Sequence, residues 1–169
     1  MIKYFYKICL LIAIVAFIAF IGQKNNENFE NLIPLHIYQT WHTKKLPPKM
    51  HECVEKLKTD NPEFEHHLYD IEECRDFIKN NFDKRVLNAF NKLKPSAFKA
   101  DLWRYCILYK KGGVYLDIKY QCEPGFKLIH LANDNFYAKE LWNGNYLDNA
   151  IYNGFLISKP DNEKYKKII

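Results

Sequence analysis

A short segment after two glycines carries the side chains with the clearest chemical potential. It reads KGGVYLDIKY, at residues 111–120, and its alternation predicts a strand over Val114–Tyr120. With a period of two, Val114 and Leu116 face the core, whereas Tyr115, Asp117 and Lys119 share the opposite face. A carboxylate and an ammonium group then lie roughly 7 Å apart at a strand end, where ligands bind in open α/β sheets. A half-exposed strand with ordinary surface charges is the alternative for this segment.

A second pair of charged residues lies three positions apart on the preceding predicted helix. Asp101 and Arg104 share one face of that helix. One interpretation is a local ion pair worth a few tenths of a kcal/mol. The other is that Arg104 presents its planar fork to a phosphate or a sugar hydroxyl, while Asp101 accepts a hydrogen bond from a hydroxyl.

The end of the first predicted strand is similarly ambiguous. It carries Gln39, Thr40 and Trp41, and the indole is either a core side chain or a stacking platform for a base. The six histidines show no metal-ligand spacing. His66 and His67 are adjacent in a predicted strand, so we expect them to point to opposite faces.

The elements that must position these residues alternate between strand and helix, which predicts an α/β fold. An apolar stripe of Phe98, Leu102, Tyr105, Cys106 and Tyr109 marks the central helix, with Ser96 as its N-cap and Gly112-Gly113 at its end. Periodicity predicts strands over 35–40, 64–69 and 114–120, further strands over 126–131 and 151–158, and helices over 50–57, 71–80, 84–94 and 97–111.

The first 22 residues differ from the rest of the chain. Lys3 and Lys7 precede an uncharged apolar run, which predicts a signal-anchor transmembrane segment over residues 1–22; a cleaved signal peptide is the alternative. The positive-inside rule then places the domain on the lumenal or extracytoplasmic side, as in a single-pass type II membrane protein. Residues 23–31 form a short polar stem, and residues 32–169 form one domain.

Charge and cysteine content narrow the function classes. The chain of 169 residues carries a net charge of +5, part of it from the two leading lysines, which is too weak and too mixed for a nucleic-acid-binding protein. The cysteines do not occur in the pairs that a zinc site requires, so the sequence does not predict one. Buried free thiols are favoured for the domain cysteines, and a Cys106–Cys122 disulfide is the alternative.

Taken in order, these segments resemble glycosyltransferase family 32, the enzymes with a DXD sugar-binding region. That family includes yeast-type α-1,6-mannosyltransferases and relatives of the large clostridial glucosylating toxins. The matching text is IYQTW at 37–41, NP at 61–62, LYD at 68–70, KADLWRY at 99–105, GGVYLDI at 112–118 and NGF at 153–155.

The resemblance implies a GT-A type nucleotide-sugar fold, a nucleotide sugar donor, a glycan or glycolipid acceptor, and retention of anomeric configuration. It also implies a divalent cation, Mn²⁺ or Mg²⁺, with Asp117 as the first DXD carboxylate and metal ligand. Asp101, Arg104 and Tyr115 would bind the donor, and Gln39, Thr40 and Trp41 would lie near its base.

Two departures from the family pattern matter. The second DXD position is Lys119, whose charged ammonium has no lone pair for a metal. Two alternatives follow. Either Asp117 still holds a metal without Lys119, or Lys119 itself supplies positive charge to the leaving group. Family members also continue beyond the last matching block, so we expect the GT-A sheet to be incomplete at its C-terminal end. The sequence thus predicts a membrane-anchored hexosyltransferase of the Golgi type; the alternative is a catalytically inactive or fragmentary nucleotide-sugar-binding remnant.

Overall fold

A five-stranded mixed sheet forms the centre of the protein. The computed structural model describes residues 33–169, so the predicted membrane segment (1–22) and stem (23–31) lie outside the described residues. Within residues 33–169, no helix is both long enough and apolar enough to cross a membrane.

The sheet has the order β2-β1-β3-β5-β4. The strand β1 lies between β2 and β3 and is parallel to both, whereas β5 is antiparallel to β3 and to β4. The carboxyl ends of β1, β2 and β3 therefore meet at one edge of the sheet. The strands are β1 (His36–Thr40), β2 (Glu65–Tyr69), β3 (Gly113–Leu116), β4 (Phe136–Trp142) and β5 (Asn145–Ser158).

Local capping explains where several helices begin. Asp70 accepts a hydrogen bond from the Glu73 backbone and Glu73 accepts one from the Asp70 backbone, a reciprocal capping box. Asp83 caps the next helix with a single bond, which its carboxylate accepts from the backbone N–H of Val86. The helices are α1 (Pro48–Asp60), α2 (Ile71–Asn81), α3 (Lys84–Lys92), α4 (Ser96–Lys111) and α5 (Glu163–Ile168), with a 3₁₀ helix over Leu128–Leu131.

Two hydrophobic cores enclose the sheet, one on each face. The first packs α2, α3, α4 and α5 around Trp103, Ile107 and Tyr115. The second packs α1 and the 3₁₀ helix around Ile37, Val114 and other apolar side chains. Because β3 has buried side chains on both faces, it is a fully covered central strand.

That coverage corrects the predicted strand over residues 114–120. The strand β3 ends at Leu116, and Asp117 and Lys119 lie in the turn that follows it. Tyr115 does not share an open face with them, since it is only 1% exposed. Alternation suggested a half-exposed strand because the tyrosine was counted as a polar position.

Three other sequence predictions are also corrected. Ser96 is the first helical residue after Pro95 and makes no capping bond. Phe98 is exposed, whereas Cys106 of the predicted stripe is fully buried and Leu102, Tyr105 and Tyr109 pack against the first core beside Trp103 and Ile107. The segment 126–131 contains no strand but the 3₁₀ helix Leu128–Leu131, whose Leu128 backbone donates to the Asn61 side chain instead of to a neighbouring strand. The strand β4 was not predicted.

The domain cysteines are free and buried, as the favoured prediction held. Cys106 lies in the first core and Cys122 in the second, on opposite faces of the sheet, so the alternative disulfide is wrong. Burial raises the pKa of the Cys74 and Cys106 thiols to about 12.

We therefore expect Cys74 and Cys106 to resist alkylation in the folded protein at pH 8, because almost none of either thiol is ionised there. Both should react with iodoacetamide only after unfolding in denaturant. Pulse labelling followed by mass spectrometry of native and denatured samples measures this. Rapid labelling of either residue in the native sample would contradict the burial described above.

Candidate functional site

A cavity of about 510 Å³ opens at the carboxyl ends of β1 and β3. This is the edge of an α/β sheet at which ligands bind. Its wall combines the end of β1, the first turns of α4, the turn after β3 and part of β5. The residues lining it are Thr40, Trp41, His42, Ile71, Ser96, Ala97, Ala100, Asp101, Arg104, Tyr115, Asp117, Ile118, Lys119, Tyr120, Tyr152 and Asn153.

Arg104 lies at the base of this cavity and joins the two predicted carboxylates. One terminal nitrogen, Nη2, lies 2.8 Å from Asp101 Oδ1 and 3.5 Å from Asp117 Oδ1. The other, Nη1, donates to the Asn153 carbonyl at 2.6 Å. The guanidinium carbon lies 4.5 Å from the centre of the Tyr115 ring. Of the two interpretations of the Asp101–Arg104 pair, the local ion pair is observed, and it extends to Asp117.

Arg104, Asp101 and Asp117 differ in their exposure to solvent. The Arg104 side chain is 5% exposed, whereas Asp101 and Asp117 are 41% and 45% exposed. The arginine is therefore committed to protein partners, and the two carboxylates present their free edges to the cavity. A buried guanidinium compensates their mutual repulsion and orients them.

Asp117 is held by contacts on its main chain as well as its side chain. Its backbone N–H donates to the Gly154 carbonyl at 2.9 Å, and its carbonyl accepts from the Gln39 side chain at 3.1 Å. The Tyr115 hydroxyl donates to Asp117 Oδ1 at 3.1 Å. Burial raises the pKa of Tyr115, so its hydroxyl stays protonated and remains a donor to this carboxylate.

Gln39 lies behind the cavity wall and contacts the main chain of Asp117. It is fully buried and is not among the residues that line the cavity. Its amide oxygen accepts a hydrogen bond from His66 Nε2 at 2.8 Å, while its amide nitrogen donates to Asp117. Burial lowers the pKa of His66 to about 4, so a neutral imidazole orients the amide of Gln39.

The other predicted residues lie on the cavity wall. Thr40 donates to the Tyr69 carbonyl, and so links β1 to β2 at the rim. Trp41 packs against His42 with ring centres 4.7 Å apart, and among the described residues its buried indole N–H has no hydrogen-bond partner. Lys119 is exposed at the mouth. An unused donor and a free cation are the features that a polyanionic ligand would engage.

Nothing in the sequence indicates a role for Gly154, although the residue belongs to the NGF motif at 153–155. A Cβ at Gly154 would lie 2.6 Å from Asp117 Oδ2 and 2.6 Å from the Tyr152 hydroxyl. The missing side chain is therefore what allows the Asp117 carboxylate to occupy its place. No local sequence signal identifies this contact, because it joins β5 to the turn after β3.

We expect Gly154→Ala to lower turnover at this cavity about tenfold, because the new methyl group displaces the Asp117 carboxylate. The free energy of unfolding should fall by only about 1 kcal/mol, since the three obstructing atoms lie at the ends of the Asp117 and Tyr152 side chains and not in the backbone. Steady-state rates and denaturant unfolding measure the two effects. An unchanged rate would show that the position of Asp117 does not limit the reaction.

The donor set at the cavity does not fit the two-carboxylate cation site of the DXD pattern. Asp117 supplies a carboxylate, but its Oδ1 already faces Arg104 and Tyr115. Lys119 stands at the second position, and a charged ammonium has no lone pair to offer. Among residues 33–169, no group of three histidine, cysteine or acidic side chains converges at this cavity.

The mixed sheet with helices on both faces is a GT-A-like α/β fold. A search of solved structures matches the PaToxG glycosyltransferase with a TM-score of 0.55 and 14% identity, covering 85% of this chain and 64% of that one. Residues 47–136 match the family described as "Glycosyltransferase sugar-binding region containing DXD motif". The chain belongs to this family, which confirms the resemblance inferred from its sequence.

Several known proteins are similar to this chain in sequence. A glycosyltransferase of Acanthamoeba polyphaga mimivirus, described as uncharacterized, is 32% identical over 141 residues, or 81% of this chain and 54% of the viral protein. Inositol phosphoceramide mannosyltransferase 3 of Schizosaccharomyces pombe is 34% identical over 58% of this chain and 28% of its own length. An initiation-specific alpha-1,6-mannosyltransferase of Candida albicans is 31% identical over 50% of this chain and 24% of its own length. The chain thus spans about half, or less, of these relatives.

Proposed function

We propose that this protein transfers a hexose from a nucleotide sugar to a glycan or glycolipid acceptor, with retention of anomeric configuration. The observation that carries the proposal is the pair of half-exposed carboxylates, Asp101 and Asp117, held at the cavity by a single buried arginine. Carboxylates of this kind accept hydrogen bonds from sugar hydroxyls. Family membership supports glycosyl transfer as the reaction.

In this proposal the residues divide between the two halves of the donor. Asp101 and Asp117 bind the hexose hydroxyls, and Arg104 and Tyr115 hold Asp117 in place. Trp41, with its unused indole N–H, and Thr40 line the wall that receives the nucleotide. The ammonium of Lys119 and the N-terminal turn of α4 supply positive potential to the diphosphate.

Breaking the bond between the sugar and the diphosphate leaves a nucleoside diphosphate whose growing negative charge must be stabilised. A positive group placed beside that charge lowers the barrier more than it strengthens binding of the intact donor. Lys119 is the exposed cation at the cavity mouth, and Arg104 is already committed to protein partners. We therefore assign the stabilisation of the leaving group to Lys119.

This assignment predicts that wild-type turnover survives EDTA and that Lys119→Ala lowers kcat about tenfold with little change in KM for the donor. Lys119→Asp rebuilds the second DXD carboxylate and should make turnover depend on added Mn²⁺. Rates measured with EDTA and with Mn²⁺ test all three proteins. Complete loss of wild-type turnover in EDTA, restored by Mn²⁺, would instead assign the charge to a cation at Asp117.

The choice of donor and acceptor in this proposal is supported by the relatives rather than by the cavity. Relatives named mannosyltransferases support a mannosyl donor such as GDP-mannose, with UDP-hexoses as the next candidates. One of them is named for an inositol phosphoceramide, which supports a glycolipid acceptor. A membrane-anchored, lumenal location belongs to this proposal through the apolar run at residues 1–22.

A second candidate is a protein that binds nucleotide sugar without transferring it. Lys119 in place of the second DXD carboxylate favours it, because that exchange removes a potential metal ligand. The same cavity and the same carboxylates would then serve binding alone.

A panel of nucleotide sugars separates the two candidates. The full chain is incubated with each donor, and both binding and release of nucleoside diphosphate are measured, with and without a glycolipid acceptor. The proposal predicts that one donor is bound and cleaved, and that acceptor accelerates the release. Binding of a donor with no release under either condition supports the second candidate.

A further inference from the structure

Three potential metal ligands converge at the other end of the first two strands. His36 begins β1, and Glu65 is its register partner at the start of the parallel strand β2. His67 lies two residues after Glu65, so its side chain emerges on the same face. Thr40 at the cavity rim lies four positions after His36, which is roughly 13 Å along an extended strand. The cluster is therefore separate from the transferase cavity.

The distances between the ligand atoms match the edges of a tetrahedral site. His36 Nδ1 lies 3.0 Å from His67 Nε2 and 3.4 Å from Glu65 Oε2. His67 Nε2 lies 3.6 Å from Glu65 Oε1. A tetrahedral metal with bonds of about 2.1 Å holds its ligands roughly 3.4 Å apart. One ligand atom from each of the three side chains, all within 4.8 Å of one another, could therefore contact one ion with only small side-chain adjustments.

The surroundings preorganise the cluster and leave it accessible. The His67 ring stacks on Tyr38 with ring centres 5.2 Å apart and an interplanar angle of 19°, which holds its orientation. Tyr38 is itself buried in the first core. The His36 and Glu65 side chains are 38% and 67% exposed, so an ion can enter and a water can complete the coordination.

We propose that His36, Glu65 and His67 form a binding site for a divalent transition metal, with Zn²⁺ as the favoured ion. Two imidazoles and one carboxylate prefer Zn²⁺ or Co²⁺ to Mn²⁺ or Mg²⁺, which favour oxygen ligands. The bound ion fastens the edge strand β2 to β1, the strand that ends at Thr40 on the cavity rim. Sequence spacing does not show the site, because its ligands come from two strands nearly 30 residues apart.

The test uses the full chain, untagged and freed of metal by chelation, titrated with Co²⁺ and followed by visible absorption. We expect one equivalent to give the absorption typical of tetrahedral Co²⁺, displaced by Zn²⁺ but not by an equal concentration of Mn²⁺. Zn²⁺ should also raise the melting temperature, since it binds only the folded state.

Variants assign the ion to this cluster. His36→Gln, Glu65→Gln and His67→Gln should each weaken Co²⁺ binding at least about tenfold and abolish the Zn²⁺-dependent rise in melting temperature. The exposed Glu65 makes Glu65→Gln the variant least expected to disturb folding. His130→Gln and Asp117→Asn should bind Co²⁺ as the wild type does. Absence of the absorption in wild type, or its full retention in His36→Gln and Glu65→Gln, would overturn the proposal.

Discussion

Arg104→Met will lower the free energy of unfolding by about 3 kcal/mol and slow release of nucleoside diphosphate at least about 100-fold. Both effects follow from the position of the guanidinium between two carboxylates. Removing it leaves Asp101 and Asp117 without the cation that balances them, and leaves the Asn153 carbonyl without its donor. Methionine preserves much of the volume, so the loss is mainly electrostatic.

Two controls separate charge from geometry in this experiment. Arg104→Lys keeps the positive charge but loses the planar fork that reaches both carboxylates and Asn153, so we expect an intermediate loss of rate. Arg75→Met removes an arginine that pairs with Asp76 at the surface, and it should change stability by less than about 0.5 kcal/mol. Denaturant unfolding and steady-state rates measure both. A wild-type rate in Arg104→Met would contradict the role given to this residue.

Asp117→Asn will reduce release of nucleoside diphosphate about 100- to 1000-fold while leaving the fold intact. The amide is nearly the same shape and can still accept a hydrogen bond from Tyr115, but it no longer carries the charge that pairs with Arg104. Because the side chain is 45% exposed, the free energy of unfolding should change by less than about 1 kcal/mol.

The matched control for this variant is Asp76→Asn, which removes an exposed carboxylate on α2, away from the cavity. We expect it to retain the wild-type rate. Donor binding by Asp117→Asn, measured by calorimetry, should weaken less than turnover does, because the hexose bound by Asp117 gains positive charge as its bond to the diphosphate breaks, and the carboxylate attracts that charge. Equal loss of binding and turnover would show that Asp117 contributes only to binding the donor.

Local chemistry made the helices α1 to α4 and the strands β1 and β2 predictable from the sequence. The helix predicted over 71–80 is observed as α2 (Ile71–Asn81), because Asp70 and Glu73 cap it through contacts three residues apart. The helix predicted over 97–111 is α4, which ends where Gly112 adopts a positive φ of 64°. A side chain there would lie 2.7 Å from Pro160, so glycine is required for a steric reason as well.

Tertiary contacts made the rest unpredictable. The end of β3 depends on the sheet partners and helices that cover both of its faces, and alternation alone could not show that Tyr115 is buried. The commitment of Arg104 to Asn153 depends on β5, which is 49 residues away in sequence. The steric role of Gly154 and the position of Gln39 behind the cavity have the same origin. Sequence thus identified most of the residue types at the site, but not which of them face the ligand.

The most direct test of the central claim is the rate of nucleoside diphosphate release from a nucleotide sugar by wild type and Asp117→Asn, measured side by side at saturating donor. The account predicts steady release by the wild type, stimulated by acceptor, and a rate about 100- to 1000-fold lower for the variant. Donor binding without release by the wild type, or equal release by both proteins, would contradict it.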